Sequence, residues 1–418
     1  MNDPKHSDSQ AGASVQQTSG APLAGLRVLE LGQLLAGPFV GHRLGDFGAD
    51  VIKIEAPGKG DAMREWGHHR FEGRGLWWPV LARNKRCITA DMRKAEGRDL
   101  VLRLVEEADA LVENFRPGTL EKWGLGPEEL HAVNPRLIIV RVSGFGQTGR
   151  YAQRAGFASV GEAMGGLRHL NGYPDQPPPR MGISLGDTLT AMFAVQGLLI
   201  ALYWRDAKGG GKGQVIDTSI VESCFAMLES AVPEFEKLGV VRQPSGTALA
   251  NVAPSNIYKA KDGKWVVIAA NLDAVFRRLT AVMGMPELAD DPKFVDHVAR
   301  GSHAAELDGI VAGWVAERDS DEIDALLNQN GVVCGPIYTI ADIVNDPYFR
   351  ERNMIVDVED PRFGSLAVPG IVPKLSLTAG EIRYLGRDEP GADNREVYRS
   401  LARLSDDEVD ALEKQGVI

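Results

Sequence analysis

Asp187 stands in the run Met181-Gly182-Ile183-Ser184-Leu185-Gly186-Asp187-Thr188, after a proline-rich loop, Asp175 to Arg180, and before a long apolar segment, Leu189 to Trp204. An acid just ahead of an apolar helix reads as an N-cap, its oxygens accepting hydrogen bonds from the free first-turn amides. The same placement near the positive end of a helix keeps a carboxylate ionised beside unpaired N–H groups. Such a carboxylate can attack an activated carbonyl and stabilise the oxyanion formed on its own acyl product. Position alone leaves cap and nucleophile both open.

Other chemical templates mostly fail. The eight histidines include the neighbours His68-His69 but no HExxH and no Cys/His ligand spacing, so no metal site is expected. There is no GxSxG elbow and no P-loop, and Gly209 to Gly213 reads as a turn between helix and strand. What remains is a series of basic and loop residues: Asn84-Lys85-Arg86, Arg93, Asn114-Phe115-Arg116-Pro117-Gly118, Lys122 and Arg154-Ala155-Gly156-Phe157. Each alone is an ordinary solvated charge. Gathered in one crevice, they would suit a nucleotide carrying several phosphates.

The elements that must position them alternate. Arg27 to Leu31 reads as a strand, Pro38 to Phe47 as a helix and Asp50 to Glu55 as a second strand, a βαβ unit. Its glycines, Gly32, Gly37 and Gly41, do not make GxGxxG, so Glu55 is weak evidence for a dinucleotide. Ala95 to Ala108 leads to the strand Ala110 to Glu113, Pro127 to Val133 leads to Leu137 to Val142, and Gln214 to Thr218 follows the apolar helix. The repetition predicts a doubly wound, Rossmann-like α/β large domain whose strand-end loops, including Asn114 and Gly144, face one crevice. Ile257 to Ala260 and Trp265 to Ala270 read as a hairpin across Asp262-Gly263. Helices at Asp273 to Met283, His303 to Ala316 and Ser320 to Gln329, then a strand at Val332 to Pro336, complete a smaller α+β domain. The expected division is a tail over 1–21, a large domain over 22–230, a small domain over 246–345 and a return to the large domain over 346–418. Ser405 and Glu408 predict a capping box on a last helix.

At 418 residues the chain exceeds one ordinary core, and 44% hydrophobic with 25% charged residues describes a soluble globular protein. A net charge of -11 argues against nucleic acid or an anionic membrane as partner. Cys87, Cys224 and Cys334 form no CxxC pair, which fits a reducing cytoplasm. Leu189 to Trp204 is short for a membrane span and contains Gln196. The first twenty residues lack the apolar core of a signal peptide and the arginines of a transit peptide, and read as a disordered tail.

Several motifs together resemble the family III CoA-transferases. They are Leu34-Leu35-Ala36-Gly37-Pro38, Gly45 to Glu55, Asn84-Lys85-Arg86, Val112-Glu113-Asn114-Phe115-Arg116-Pro117-Gly118, Ser143 to Gly149 and Cys334-Gly335-Pro336. The resemblance runs in order from about Pro22 to Ile418. It implies that Asp187 is the catalytic nucleophile. CoA contacts would fall on Gln33, Ala36, Ala90, Arg93, Asn114, Phe115, Lys122, Arg154 and Phe157. It implies no resident cofactor, CoA being a substrate carrier, and an interlocked homodimer. Formyl-CoA transferases carry a run of glycines where this chain has only Ser245-Gly246-Thr247-Ala248, which favours members handling dicarboxylates. Succinyl-CoA is then the expected donor and a dicarboxylate the expected acceptor, with Arg180, Arg70 or Arg74 as candidates for a distal carboxylate. An α-methylacyl-CoA racemase pairs the acid with a histidine where this chain reads Phe157, and exchange at an α-carbon needs two bases. A CoA-binding or nucleotide-binding protein without acyl chemistry, with Asp187 only a cap, is the remaining alternative.

Overall fold

The computed structural model describes residues 20–249 and 251–418, so the expected tail lies outside the described residues up to residue 19. Among the described residues two compact units form: 20–142, 191–217 and 356–418 make the first, and 143–190 with 218–249 and 251–355 make the second. This division falls at other residues than the sequence boundaries, because 143–190 groups with the second unit.

The first unit is built on six strands: β1 (Arg27–Glu30), β2 (Asp50–Glu55), β3 (Lys85–Thr89), β4 (Ala110–Glu113), β5 (Ile138–Ser143) and β6 (Val215–Ser219). Their order is β3-β2-β1-β4-β5-β6. β1 runs parallel to β2 and β4, β2 to β3, and β4 to β5. Strands β4 and β5 are buried at every position, as a parallel sheet covered on both faces requires. Alternate residues supply two cores. Leu29, Ile52, Leu111 and Ile139 pack with Leu100, Val101, Leu104 and Val105 of the Ala95–Glu106 helix. Val28, Val51, Val112 and Val140 pack with Val40 and Leu44 of the Pro38–Gly45 helix and with Ala191, Ala194, Leu198 and Ala201. The doubly wound architecture is therefore present. The strand order reverses between β1 and β4, and the crevice outside the carboxyl ends of those strands is where such sheets bind ligands.

The Leu185–Leu202 helix continues through a wider turn to Ala207. This corrects the expectation drawn from its apolar run: over 23 residues it is, by length and composition, one helix long and apolar enough to cross a membrane. Its four buried small and apolar residues face the sheet core, while Met192, Leu199, Ile200 and Tyr203 on the other side are exposed.

The second unit holds a three-stranded sheet of β7 (Ser255–Lys259), β8 (Trp265–Ala269) and β9 (Val333–Pro336), with β8 central and both pairings antiparallel. Gly263 turns the β7–β8 hairpin at φ +84°, the left-handed conformation that glycine adopts without cost. Phe276, Leu279, Leu307, Val311, Val315, Ile323 and Leu327 from three helices close over Val266 and Ile268. At the chain end, Ser405 and Glu408 make both bonds of the expected capping box.

Candidate active site

The loop after β1 is held by charge rather than by apolar packing. Lys53, buried on β2, pairs with Asp61 at 2.7 Å and Glu30 at 3.2 Å and donates to the Gly32 carbonyl. Lys85, buried on β3, pairs with the same Glu30 at 2.8 Å and donates to the Pro38 carbonyl at 2.6 Å. Burial alone lowers a lysine pKa, and it does so at Lys85, where Lys53 adds to it against Glu30. At Lys53 the burial is outweighed by Asp61, Glu30 and Glu55, and the pKa rises. Asp61 also accepts the amide N–H of Leu34 at 3.0 Å, holding that residue at φ +63°. A leucine in the left-handed region costs on the order of 1–3 kcal/mol and persists only where its surroundings fix it.

This overturns one expectation. Asn84-Lys85-Arg86 is not free to meet a nucleotide. Lys85 is buried in the cluster, Arg86 pairs with Asp50 at 2.6 Å and Glu396 at 3.1 Å, and Asn84 joins the Glu381 carbonyl to the Arg383 amide.

At the carboxyl ends of β1 to β4 lies a cleft of 490 Å³. Gln33, Ala90, Arg93 and Phe115 line it together, with Ala56, Lys59 and Trp123. Phe115 meets Trp123 edge to face at 5.1 Å. Arg93 is largely exposed and leans on Asp91 at 2.8 Å. Asn114 braces the loop instead of lining the cleft: its side chain accepts from the Gln33 amide at 2.8 Å and donates to the Gln33 carbonyl at 2.9 Å. Gly32 permits that approach, because a Cβ there would sit 2.5 Å from the Asn114 oxygen. Ala36 is buried in the sheet core, and Lys122 is exposed one residue before Trp123. Trp123 and Lys59 escaped the sequence reading; an aromatic five residues after Gly118 was the available signal.

The second unit carries Asp187, Arg154 and Phe157. Arg154 stacks over the rings of Tyr151 at 4.7 Å and Phe145 at 5.7 Å, and Phe157 is 70% exposed. Asp187 is not the cap. The helix begins at Leu185, the Thr188 amide donates to the Ser184 carbonyl at 3.1 Å, and Asp187 stands inside the first turn. Its carboxyl pKa is pushed up to about 6, by burial first and then by the Glu162 carboxylate, with Arg180 opposing. The helix start was expected to hold this group firmly ionised. Desolvation and a like charge win instead.

Glu162 comes from the Ala158–Met164 helix, is 4% exposed, and accepts the Gly186 amide at 3.1 Å, one residue before Asp187. Its other oxygen lies 3.7 Å from the guanidinium of Arg168. The buried Cys224 thiol is raised to about 11 by burial and then by these same two carboxylates. The sequence reading missed Glu162 and Arg168. The Gly165-Gly166 pair that turns the chain between them was the visible sign of close packing: a Cβ on Gly165 would lie 2.6 Å from the Cys224 Cβ. Of the arginines considered for a distal carboxylate, Arg180 is exposed and within electrostatic reach of Asp187, Arg70 pairs with Glu65 at 3.2 Å, and Arg74 lies 3.8 Å from Asp388. Among the described residues no three His, Cys, Asp or Glu side chains gather as a metal site.

Residues 23–394 match CoA-transferase family III. The chain belongs to that family and is an enzyme of the CoA-transferase type. Among its relatives, a succinyl-CoA–D-citramalate CoA-transferase of Chloroflexus aurantiacus is 53% identical over 397 residues, covering 95% of this chain and 98% of that one. A succinate–glutarate CoA-transferase of Agrobacterium fabrum is 34% identical over 369 residues, covering 87% and 91%. A CaiB/BaiF family protein from Brucella suis superposes with a TM-score of 0.81 at 36% identity, covering 91% of this chain and all of that one.

Proposed function

We propose that this CoA-transferase moves CoA from succinyl-CoA to a second dicarboxylate, with Asp187 as the covalent nucleophile. The observation that carries the reading is Asp187 itself: a largely buried carboxylate in the first turn of a long helix, without a hydrogen bond or ion pair among the described residues. The names of the relatives support succinyl-CoA as donor and a four- or five-carbon diacid as acceptor.

In the first step an Asp187 oxygen attacks the thioester carbonyl; the C–S bond breaks and CoA leaves as its thiolate. The thiolate then attacks the aspartyl carbonyl of the mixed anhydride, releasing succinate and leaving CoA as a thioester on Asp187. The acceptor carboxylate attacks that thioester, forming a second anhydride. CoA thiolate finally takes the acceptor acyl group and frees the Asp187 carboxylate. No redox or metal cofactor enters this sequence, which needs an ionised carboxylate, oxyanion donors and exclusion of water. Retaining the thiolate beside the anhydride lets it outcompete water. Phe157 leaves the racemase alternative without its second base.

We assign the adenosine end of CoA to the cleft of the first unit lined by Phe115, Trp123 and Arg93. Aromatic stacking on a base is worth about 1–3 kcal/mol. Phe115→Ala is therefore expected to raise the KM for acyl-CoA by roughly tenfold or more while kcat changes little; steady-state kinetics check it. The acylation step also depends on pH. Because only the carboxylate is nucleophilic and its pKa is raised to about 6, the single-turnover rate is expected to hold above that pH and fall about tenfold for each unit below it. Stopped-flow release of CoA measures this, and a rate flat down to pH 4 would contradict it.

A homodimer in the reducing cytoplasm completes the proposal. Met192, Leu199, Ile200 and Tyr203 line an apolar groove with Leu23, Phe47 and Leu375 in the first unit, a surface that suits a second copy. Light scattering showing a monomer would count against it. The function is tested by supplying succinyl-CoA with citramalate, malate or glutarate, the acids named for the relatives, and following new thioesters by chromatography. Transfer to none of them would defeat the substrate assignment.

A further inference from the structure

Arg168 belongs to the second unit, as Asp187 does. It sits in the four-residue helix Leu167–Leu170, entered through Gly166 at φ +89°. Its Nε is buried and has no hydrogen-bond partner. Its nearest anion is Glu162, at 3.7 Å, beyond good hydrogen-bond length, so the ion pair does not consume the guanidinium. A buried donor left unpaired costs free energy and calls for an explanation. The side chain keeps 25% of its surface, so the fork is not sealed.

Position explains the arrangement. Glu162 uses one oxygen on the Gly186 amide, next to Asp187, and turns the other toward Arg168. The same carboxylate therefore fixes the nucleophile's backbone and steers the guanidinium. The cation opposing the charge of Glu162 at Asp187 is Arg180, so Arg168 is not engaged by the nucleophile. A four-carbon diacid acylating Asp187 carries its second carboxylate a few bonds from the reacting carbonyl. A guanidinium fork offers that group two parallel N–H donors, a geometry a point charge cannot reproduce.

We propose that Arg168, oriented by Glu162, binds the non-reacting carboxylate of the dicarboxylate and so selects diacyl over monoacyl thioesters. This rests on the assignment of Asp187 as nucleophile to a dicarboxylate substrate. It makes Arg168 a specificity-determining residue and Glu162 a positioning residue.

The test compares succinyl-CoA with butyryl-CoA, which lacks the distal carboxylate. Full-length wild type, Arg168→Met and Arg168→Lys are mixed with each thioester, quenched with hydroxylamine, and the Asp187 peptide is weighed. Wild type is expected to form the adduct faster from succinyl-CoA. Arg168→Met is expected to lose about 100-fold of that rate while its butyryl-CoA rate stays unchanged, and Arg168→Lys to fall between. Equal losses on both thioesters would reduce Arg168 to a structural role and overturn the proposal, as would no loss on either. Circular dichroism guards against misfolding of the methionine variant, and the lysine variant retains a charge in its place. If wild type itself forms no Asp187 adduct from either thioester, the nucleophile assignment fails, and the role of Arg168 falls with it.

Discussion

Asp187→Ala is expected to abolish CoA transfer, by on the order of 10⁴-fold or more, and at the same time to make the protein more stable. Loss of activity follows because no other group in the proposed sequence can carry the acyl intermediate. The stability gain follows from the environment of the carboxylate. Its pKa in the folded protein, about 6, lies above the ordinary 3.8. The folded state therefore holds this proton more tightly than the unfolded chain does. Stability from this group is fully present below pH 3.8 and is lost as pH rises through about 6. At pH 7 the ionised Asp187 costs the fold on the order of 2–3 kcal/mol. Removing it should raise the melting temperature at pH 7 and change it little at pH 4. Asp187→Asn should behave alike. Thermal melts at the two pH values beside a CoA-transfer assay decide both halves. Transfer at the wild-type rate in folded Asp187→Ala protein would sink the mechanism.

Lys53→Met is expected to have the largest effect on stability. It leaves Glu30 and Asp61 buried with Lys85 as their remaining lysine, and it removes the donor from the Gly32 carbonyl. Breaking one partner out of a buried ionic group costs about 3–5 kcal/mol, because the charges left behind stay desolvated. A cost of that size is a large share of the stability of an ordinary domain, and many molecules would not fold. The site should suffer too. Asp61 anchors the left-handed Leu34 in the loop that carries Gln33, so the surviving folded protein should bind acyl-CoA more weakly. Urea unfolding monitored by circular dichroism measures the first effect, and the KM for acyl-CoA the second. An unchanged urea midpoint would show that this cluster contributes little.

Five of the six sheet strands were legible as short segments between turns and helices, and that alternation implied a parallel sheet; the strand Lys85–Thr89 was not, because its start reads as a basic loop. Asp50–Glu55, Ala110–Glu113 and Pro127–Val133 fall where periodicity and proline put them. The hairpin at Asp262-Gly263 was legible for the same local reason. Charged residues were less so. Lys85 reads as a solvated cation beside Arg86, yet it is buried, because its partner Glu30, 55 residues away, lies on β1 two strands across the sheet. Nothing local distinguishes a lysine that will find such a partner. The Asp187 turn shows the same limit on a smaller scale: acid and apolar run mark a helix start, but the first turn closes at Leu185, and the carboxylate becomes an interior group of that turn.

The amino-acid sequence by itself determined the doubly wound class, the hairpin in the second unit and the family, and it singled out Asp187 as the candidate nucleophile. All of these rest on local patterns, of hydrophobic period, turn chemistry and ordered motifs. Only the tertiary structure decided what surrounds that acid. Glu162 approaches it through the Gly186 amide and turns its other oxygen to Arg168, and Lys53, Lys85, Glu30 and Asp61 converge from separate strands and loops to hold the β1 loop. The reason is physical. Burial and electrostatic pairing depend on distance in space, and distance in space between residues far apart in the chain exists only once the chain has folded.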